Sequence, residues 1–279
     1  MIELPGESRW VAVEGINTHY VEAGAGPPLL LIHGLGASVV TWRDNIGPLA
    51  ESFRVVALDL PGHGDSDKPD IDYASPTIVR HIARFMEAIG IEKTAIVGNS
   101  VGGALGLMVA LAHPELVSSL VLVDSAGLGK EISTWVKLLS IPPLGRLLES
   151  AKLRGTKFLL YNVFHDPSLA SPELLEELYR SRQMRGAKEA IVRVIHNTVG
   201  LRGVRDDHVL IDELKDLPMP TMVVWGAQDR IFPVSQAYRA ADSSPQTVIK
   251  VFEECGHWPH MEKATAFNSA VTKFLSGSR

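Results

Sequence analysis

Short apolar runs recur along the chain at Leu29–Ile32, Val55–Leu58, Ala95–Val97, Leu120–Val123, Met222–Trp225 and Val248–Phe252. They are rich in branched side chains and lack alternating polar positions, the pattern of strands covered on both faces of a parallel sheet. Between the runs the apolar spacing changes to three and four residues. Helices are predicted around Val40–Glu51, Pro76–Ile89, Val101–His113 and Val234–Ala241. A last helix carries Ala264, Phe267, Val271 and Phe274 along one face. Two earlier segments, Arg9–Gly15 and Ile16–Ala23, pattern as an antiparallel hairpin at a sheet edge. Strand alternating with helix predicts an α/β fold, a mostly parallel central β-sheet with helices on both faces.

The alternation breaks between Gly127 and Leu217. This stretch reads as helical throughout, with Trp135, Leu138, Leu139, Ile141, Leu144, Leu147 and Leu148 in its first part and a second helical pattern from Pro172 to Arg185. Pro218 and Pro220 mark the return to strand. The expected division is a core of residues 1–126 and 217–279, with residues 127–216 inserted as a helical cap.

Composition narrows the function classes. A chain of 279 residues with 46% hydrophobic content can bury one large core. A net charge of −5 gives no electrostatic reason to expect nucleic acid or an anionic membrane as partner. No apolar run approaches the roughly 20 residues that cross a bilayer. Met1–Glu7 has neither a basic start nor an apolar segment, so no signal peptide is expected. The single cysteine, Cys255, excludes an intrachain disulfide and reads as a buried small apolar residue. These features describe a cytoplasmic protein, monomer or homodimer, acting on a small molecule.

The chemistry is concentrated around Gly98-Asn99-Ser100-Val101-Gly102, which joins a predicted strand to a predicted helix. A serine between two glycines at such a junction matches a nucleophile elbow. Serine needs a base within hydrogen-bond reach. Among ten histidines, His257 follows the last strand and reaches the edge where strand C-termini open, as Ser100 does. His260 reads as solvent-facing. Asp229, beyond the penultimate strand, is the candidate carboxylate that orients His257, and Asp124 is its rival. The backbone amides of Leu35 and Val101 are the expected oxyanion donors. Gly34, Asn99 and Trp258 are candidate pocket residues; for Asn99 a hydrogen bond across the elbow, and for Trp258 plain packing, are alternatives. Gly34/Gly36 and Gly62/Gly64 lack the third glycine of a dinucleotide fingerprint, and no ligand set surrounds His257 and His260. Neither a cofactor nor a metal is expected.

Two motifs beyond the elbow make the chain resemble the α/β-hydrolase family nearly end to end. Asp59-Leu60-Pro61-Gly62-His63-Gly64-Asp65-Ser66 is similar to its D-x-x-G-x-G-x-S loop. Gly256-His257-Trp258-Pro259 with Glu262 is similar to its G-H-x-P-x-x-E ending. Ser100 stands where the family's haloalkane dehalogenases and epoxide hydrolases use aspartate. Gly98-Asn99-Ser100 and Cys255-Gly256-His257-Trp258 also resemble the meta-cleavage-product hydrolases, which break a C–C bond in a dienol acid. Those enzymes carry Gly-Pro-Gly where this chain has Leu35-Gly36-Ala37-Ser38, and they use a cap arginine for the substrate carboxylate. An ungapped comparison places Leu178 there, with Arg180 and Arg182 close by as residues that could substitute for it; Arg180 reads rather as an i,i+4 partner of Glu176. The expected function is a serine esterase for a small or medium apolar ester. The alternatives are a C–C hydrolase and a slow-hydrolysing ligand receptor on the same scaffold.

Overall fold

The computed structural model describes residues 2–142, 145 and 153–277. Eight strands form one sheet: β1 (Glu7–Val13), β2 (Ile16–Ala23), β3 (Pro28–Ile32), β4 (Arg54–Leu58), β5 (Thr94–Asn99), β6 (Val117–Val123), β9 (Thr221–Gly226) and β10 (Val248–Phe252). Their order is β1-β2-β4-β3-β5-β6-β9-β10. The hairpin β1–β2 is antiparallel at one edge, β2 joins β4 antiparallel, and every other pairing is parallel. This is the expected fold class; the six strands predicted from the apolar runs lie within those observed, and β1 ends at Val13, short of the expected Gly15.

Alternate residues of each central strand feed two separate cores. Leu30, Ile32, Ile96, Leu120 and Val223 face α2 (Ser75–Ala88) and α3 (Val101–Ala112). Leu29, Leu31, Val97, Val121 and Val224 face Trp42, Ile46, Phe267 and Val271 of the opposite layer. That layer holds α1 (Arg43–Ala50) and α10 (Ala264–Gly277). Nearly all of α3 is buried, which explains why its sequence is apolar all round.

Between β6 and β9 lie α4 (Thr134–Leu139), α5 (Leu153–Val163), α6 (Pro172–Gln183) and α7 (Ala187–Thr198). One expectation needs correction here. The insertion is not helical throughout, because β7 (Val199–Gly200) and β8 (Gly203–Val204) pair as a short antiparallel ribbon. Gly203 turns it at φ +120°, and a Cβ there would strike the Lys130 carbonyl. Leu144, Leu147 and Leu148 lie outside the described residues. Pro220 closes the insertion, its carbonyl accepting from Leu120 N at 3.0 Å as β9 docks on β6. No helix among the described residues is long and apolar enough to cross a membrane.

The strand order decides where chemistry can occur. Parallel strands β3, β5, β6, β9 and β10 deliver residues 33–36, 100, 124, 229 and 257 to one edge of the sheet.

Candidate active site

Strand β5 ends at Asn99 and α3 starts at Val101, so Ser100 alone makes the turn. Its backbone lies at φ 57°, ψ −120°, a strained conformation for a residue bearing a side chain. Ser100 N donates to Val123 O at 2.9 Å, while Gly103, Ala104 and Ala126 donate to Ser100 O at 3.0, 3.2 and 3.0 Å. A Cβ at Gly98 would lie 2.3 Å from Gly102 O, and one at Gly102 would lie 2.3 Å from Ile32 O. Gly98→Ala is therefore expected to cost about 3 kcal/mol, since backbone atoms cannot rotate out of the way. Urea unfolding of the purified variant measures that loss.

His257 sits in a loop fastened at both sides. Its N–H donates to Val163 O at 2.7 Å. The Glu262 carboxylate accepts from Gly256 N at 2.7 Å, His165 N at 2.9 Å and Asp166 N at 3.3 Å. Both anchors tie the loop to the end of α5, which gives the G-H-x-P-x-x-E motif a physical reason. His257 Nδ1 donates to Asp229 Oδ2 at 2.8 Å, and the two side chains are 4% and 0% exposed. Asp229 Oδ1 accepts from Ile231 N at 2.7 Å. A carboxylate on Nδ1 leaves Nε2 as the ring's proton acceptor.

The rival acid is also present. Asp124 is fully buried at φ 42°, and its Oδ1 accepts from Gly226 N at 3.0 Å. Asp124, Asp229 and His257 offer atoms within 4.8 Å of one another. Burial, with Asp229 as neighbour, pushes the Asp124 carboxyl well above the usual carboxylate range. Of the neighbouring carboxyls, Asp124 is therefore the one whose neutral form burial favours.

Ser100 and His257 both line a cavity of about 360 Å³, together with Gly34, Leu35, Val101 and Trp258. A Cβ at Gly34 would lie 3.1 Å from Ser100 Cβ, so the 33–36 loop backs directly onto the serine. His33 Nδ1 donates to Gly34 O at 2.7 Å and its Nε2 accepts from Leu60 N at 3.1 Å. Burial lowers its pKa, so the neutral ring braces the loop. Asn99 is a correction: it does not line the cavity. Its Nδ2 donates to Val123 O and His257 O, both at 3.1 Å, bonding across the elbow. Most of the wall is apolar, including Leu105, Met108, Ile132, Leu139, Leu159 and Val194.

The segment between β6 and β9 contributes a cation, Arg182, one of the two arginines named from the sequence beside Leu178. Leu174, Leu178 and Arg182 follow at steps of four on α6, and all three are buried. Arg182 lines the cavity, and its Nη1 lies 2.8 Å from where a Gly36 Cβ would sit. The signal for it was that spacing of four on an apolar face. Arg180 points elsewhere, and its expected partner is also corrected. It bonds Glu177 at 2.6 Å and Asp65 at 2.8 Å, because Glu177 is turned inward and Glu176 outward.

A model of the alpha/beta hydrolase fold matches residues 27–264. This chain belongs to the alpha/beta hydrolase fold family. The chain is a hydrolase, in line with the relatives named as hydrolases. It is 34% identical to a 2-hydroxy-6-oxo-6-(2'-aminophenyl)hexa-2,4-dienoic acid hydrolase of Metapseudomonas resinovorans, over 96% of this chain and 90% of that one. It is 32% identical to a 2-hydroxymuconate semialdehyde hydrolase of Pseudomonas sp. strain CF600, over 98% of this chain and 95% of that one. Among solved structures, the meta-cleavage product hydrolase of Pseudomonas fluorescens IP01 superposes with a TM-score of 0.81 at 29% identity, covering 97% of this chain and 98% of that one.

A second family motif acquires a structural reason in this hydrolase. Asp59 is a hub whose carboxylate accepts from Val39 N at 2.8 Å, Asp65 N at 2.9 Å and His19 Nδ1 at 2.7 Å. Ser66 Oγ donates to Asp59 O at 2.7 Å. Asp59 therefore braces the loop from Asp59 to Ser66, whose Leu60, Pro61 and His63 line the cavity. His260 is the last correction. It is fully buried, 4.3 Å centroid to centroid from Trp42 and 6.1 Å from Phe267, and burial lowers its pKa to about 3. The sequence pattern missed it because Pro259–Glu262 (α9) is one short turn folded back against α1.

Proposed function

We propose that this hydrolase cleaves a carbon–carbon bond next to a ketone in a 2-hydroxy-6-oxo-dienoic acid. The observation that carries the reading is Arg182, a buried guanidinium at the end of the cavity formed by the 33–36 loop. In this account Ser100 attacks the ketone carbon while His257 Nε2 takes its proton. Asp229 holds the ring and balances the imidazolium. The Leu35 and Val101 amides receive the oxyanion. The dienol first ketonises, its 2-hydroxyl hydrogen moving to the carbon next to the ketone, so that the electron pair left when the C–C bond breaks spreads through the enone to the 2-oxygen beside the carboxylate. A cation there stabilises that charge. His257 returns its proton to the enolate oxygen, and water then releases the acyl group from Ser100. The similarity to dienoic acid and semialdehyde hydrolases over nearly the whole chain supports the same substrate class.

The test compares turnover of such a dienoate, followed by loss of its visible absorbance, with turnover of a p-nitrophenyl ester. The expected result is a higher kcat/KM for the dienoate. Arg182→Gln should raise its KM by about 10- to 100-fold, the worth of hydrogen bonds to a charged group. The ester should be unaffected. A second reading, the esterase expected from the sequence, is favoured by the apolar wall. It prevails if the ester is the better substrate and Arg182→Gln changes neither value.

A further inference from the structure

The cavity wall contains a polar pair that the reaction above does not use. Ser75 opens α2, and its Oγ lies 3.0 Å from His208 Nε2. His208 Nδ1 lies 2.9 Å from Asp207 Oδ1. Both Ser75 and His208 line the same cavity as Ser100. They are 133 residues apart in sequence and meet only because the segment leaving the cap folds back over α2. His208 enters beside the helix that follows the elbow. Its carbonyl lies 3.3 Å from where a Gly127 Cβ would sit, and Ala104 Cβ lies 3.7 Å from the same point. On that side the wall runs along α3 from Val101 through Ala104 and Leu105 to Met108, about 10 Å at roughly 1.5 Å per residue.

We infer that Ser75 and His208 form a subsite that recognises a hydrogen-bond donor, a hydroxyl or an amine, on the substrate arm lying along α3. The polarity follows from the order of bonds. The Asp207 carboxylate can only accept, so His208 carries its proton on Nδ1. A ring with its hydrogen on Nδ1 accepts at Nε2, and the Ser75 hydroxyl donates its one hydrogen there. What remains on Ser75 Oγ is acceptor capacity in a wall otherwise made of Ile78, Ala104, Leu105 and Met108. A donor on the arm satisfies it, whereas an ether or ketone oxygen cannot. Asp207 is largely exposed, with 75% of its side chain accessible, so it fixes the ring without itself reaching the ligand.

This subsite rests on the reading of Ser100 as the reacting pole, and the test keeps the two apart. Three classes of uncharged ligand are titrated calorimetrically into the Ser100→Ala protein, which holds them without turnover. They are methyl 3-phenylpropanoate, its ring-hydroxylated 3- and 4-isomers as one class, and the methoxy counterpart. The hydroxylated arm should bind about fivefold tighter than the plain arm, the worth of one neutral hydrogen bond. The methoxy arm should show no gain. Ser75→Ala and His208→Phe, each added to the Ser100→Ala protein, should remove the gain while leaving affinity for the plain arm within about twofold. The inference is overturned by equal affinity for plain and hydroxylated arms, or by a gain that survives both substitutions. A uniform loss for every arm also overturns it, because it marks the pair as a strap between α2 and the cap. Wild-type turnover of the dienoate separates the two readings. A protein that hydrolyses it yet shows no hydroxyl gain refutes the subsite alone.

Discussion

Ser100→Ala should lower kcat by about 10⁶-fold while leaving substrate affinity within a few-fold of wild type. The magnitude follows from what one atom does in this geometry. Removing Oγ leaves the oxyanion amides, the cavity and the His257–Asp229 pair in place. No covalent acyl intermediate can then form, and only water remains to attack. Residual rate acceleration of about 10³- to 10⁴-fold over solution is the expected contribution of the remaining groups. The elbow should survive the change. Its strain at φ 57° is held by the backbone bonds to Val123, Gly103, Ala104 and Ala126, none of which uses the hydroxyl. Pre-steady-state absorbance measurements give the check. Wild type should show a burst of the first product, and the variant none. A variant keeping more than about 1% of wild-type kcat would remove Ser100 from the nucleophile's role.

The parts of this site that were legible in the sequence are those fixed by local rules. A serine between glycines can be read because the close approach of Gly98 to Gly102 is set by neighbours in the chain. His257 and Asp229 can be placed because parallel strands all open on one edge, and strands reveal themselves as apolar runs. What stayed hidden depends on packing between distant segments. Arg182 shares an α6 face with Leu174 and Leu178, yet nothing in its own neighbourhood says that this face covers a cavity. Ser75 and His208 belong to separate segments, and no periodicity joins them. His260 beside Pro259 has the look of an exposed helix start, whereas Trp42 and Phe267 enclose it. Asp124 was recognised as an acid at the right edge. Only the coordinates show it standing behind Asp229 as a partner, where the sequence had posed the two as alternatives.

Asp229→Asn should reduce kcat by about 10⁴-fold, the effect expected when an orienting carboxylate becomes an amide. The amide can still accept from His257 Nδ1, but it can also present its NH₂ and select the wrong tautomer. It cannot balance an imidazolium. Asp124 changes how this experiment reads. In the intact protein it is held protonated by burial and by the charge of Asp229. Once Asp229 loses that charge, Asp124 is released to ionise within 4.8 Å of the His257 ring. The Asp229→Asn protein should therefore recover part of its activity as pH rises through the Asp124 titration. The double variant with Asp124→Asn should stay flat and lie roughly 100-fold lower at high pH, since a unit charge about 5 Å away at an effective dielectric of about 20 is worth roughly 3 kcal/mol. Asp124→Asn alone should remain within a few-fold of wild type, because asparagine imitates the neutral acid and keeps an acceptor for Gly226 N–H. pH–rate profiles of the three variants decide the matter. If Asp229→Asn and the double variant trace the same curve, Asp124 plays no part in the charge balance, and its burial beside Asp229 is architecture alone.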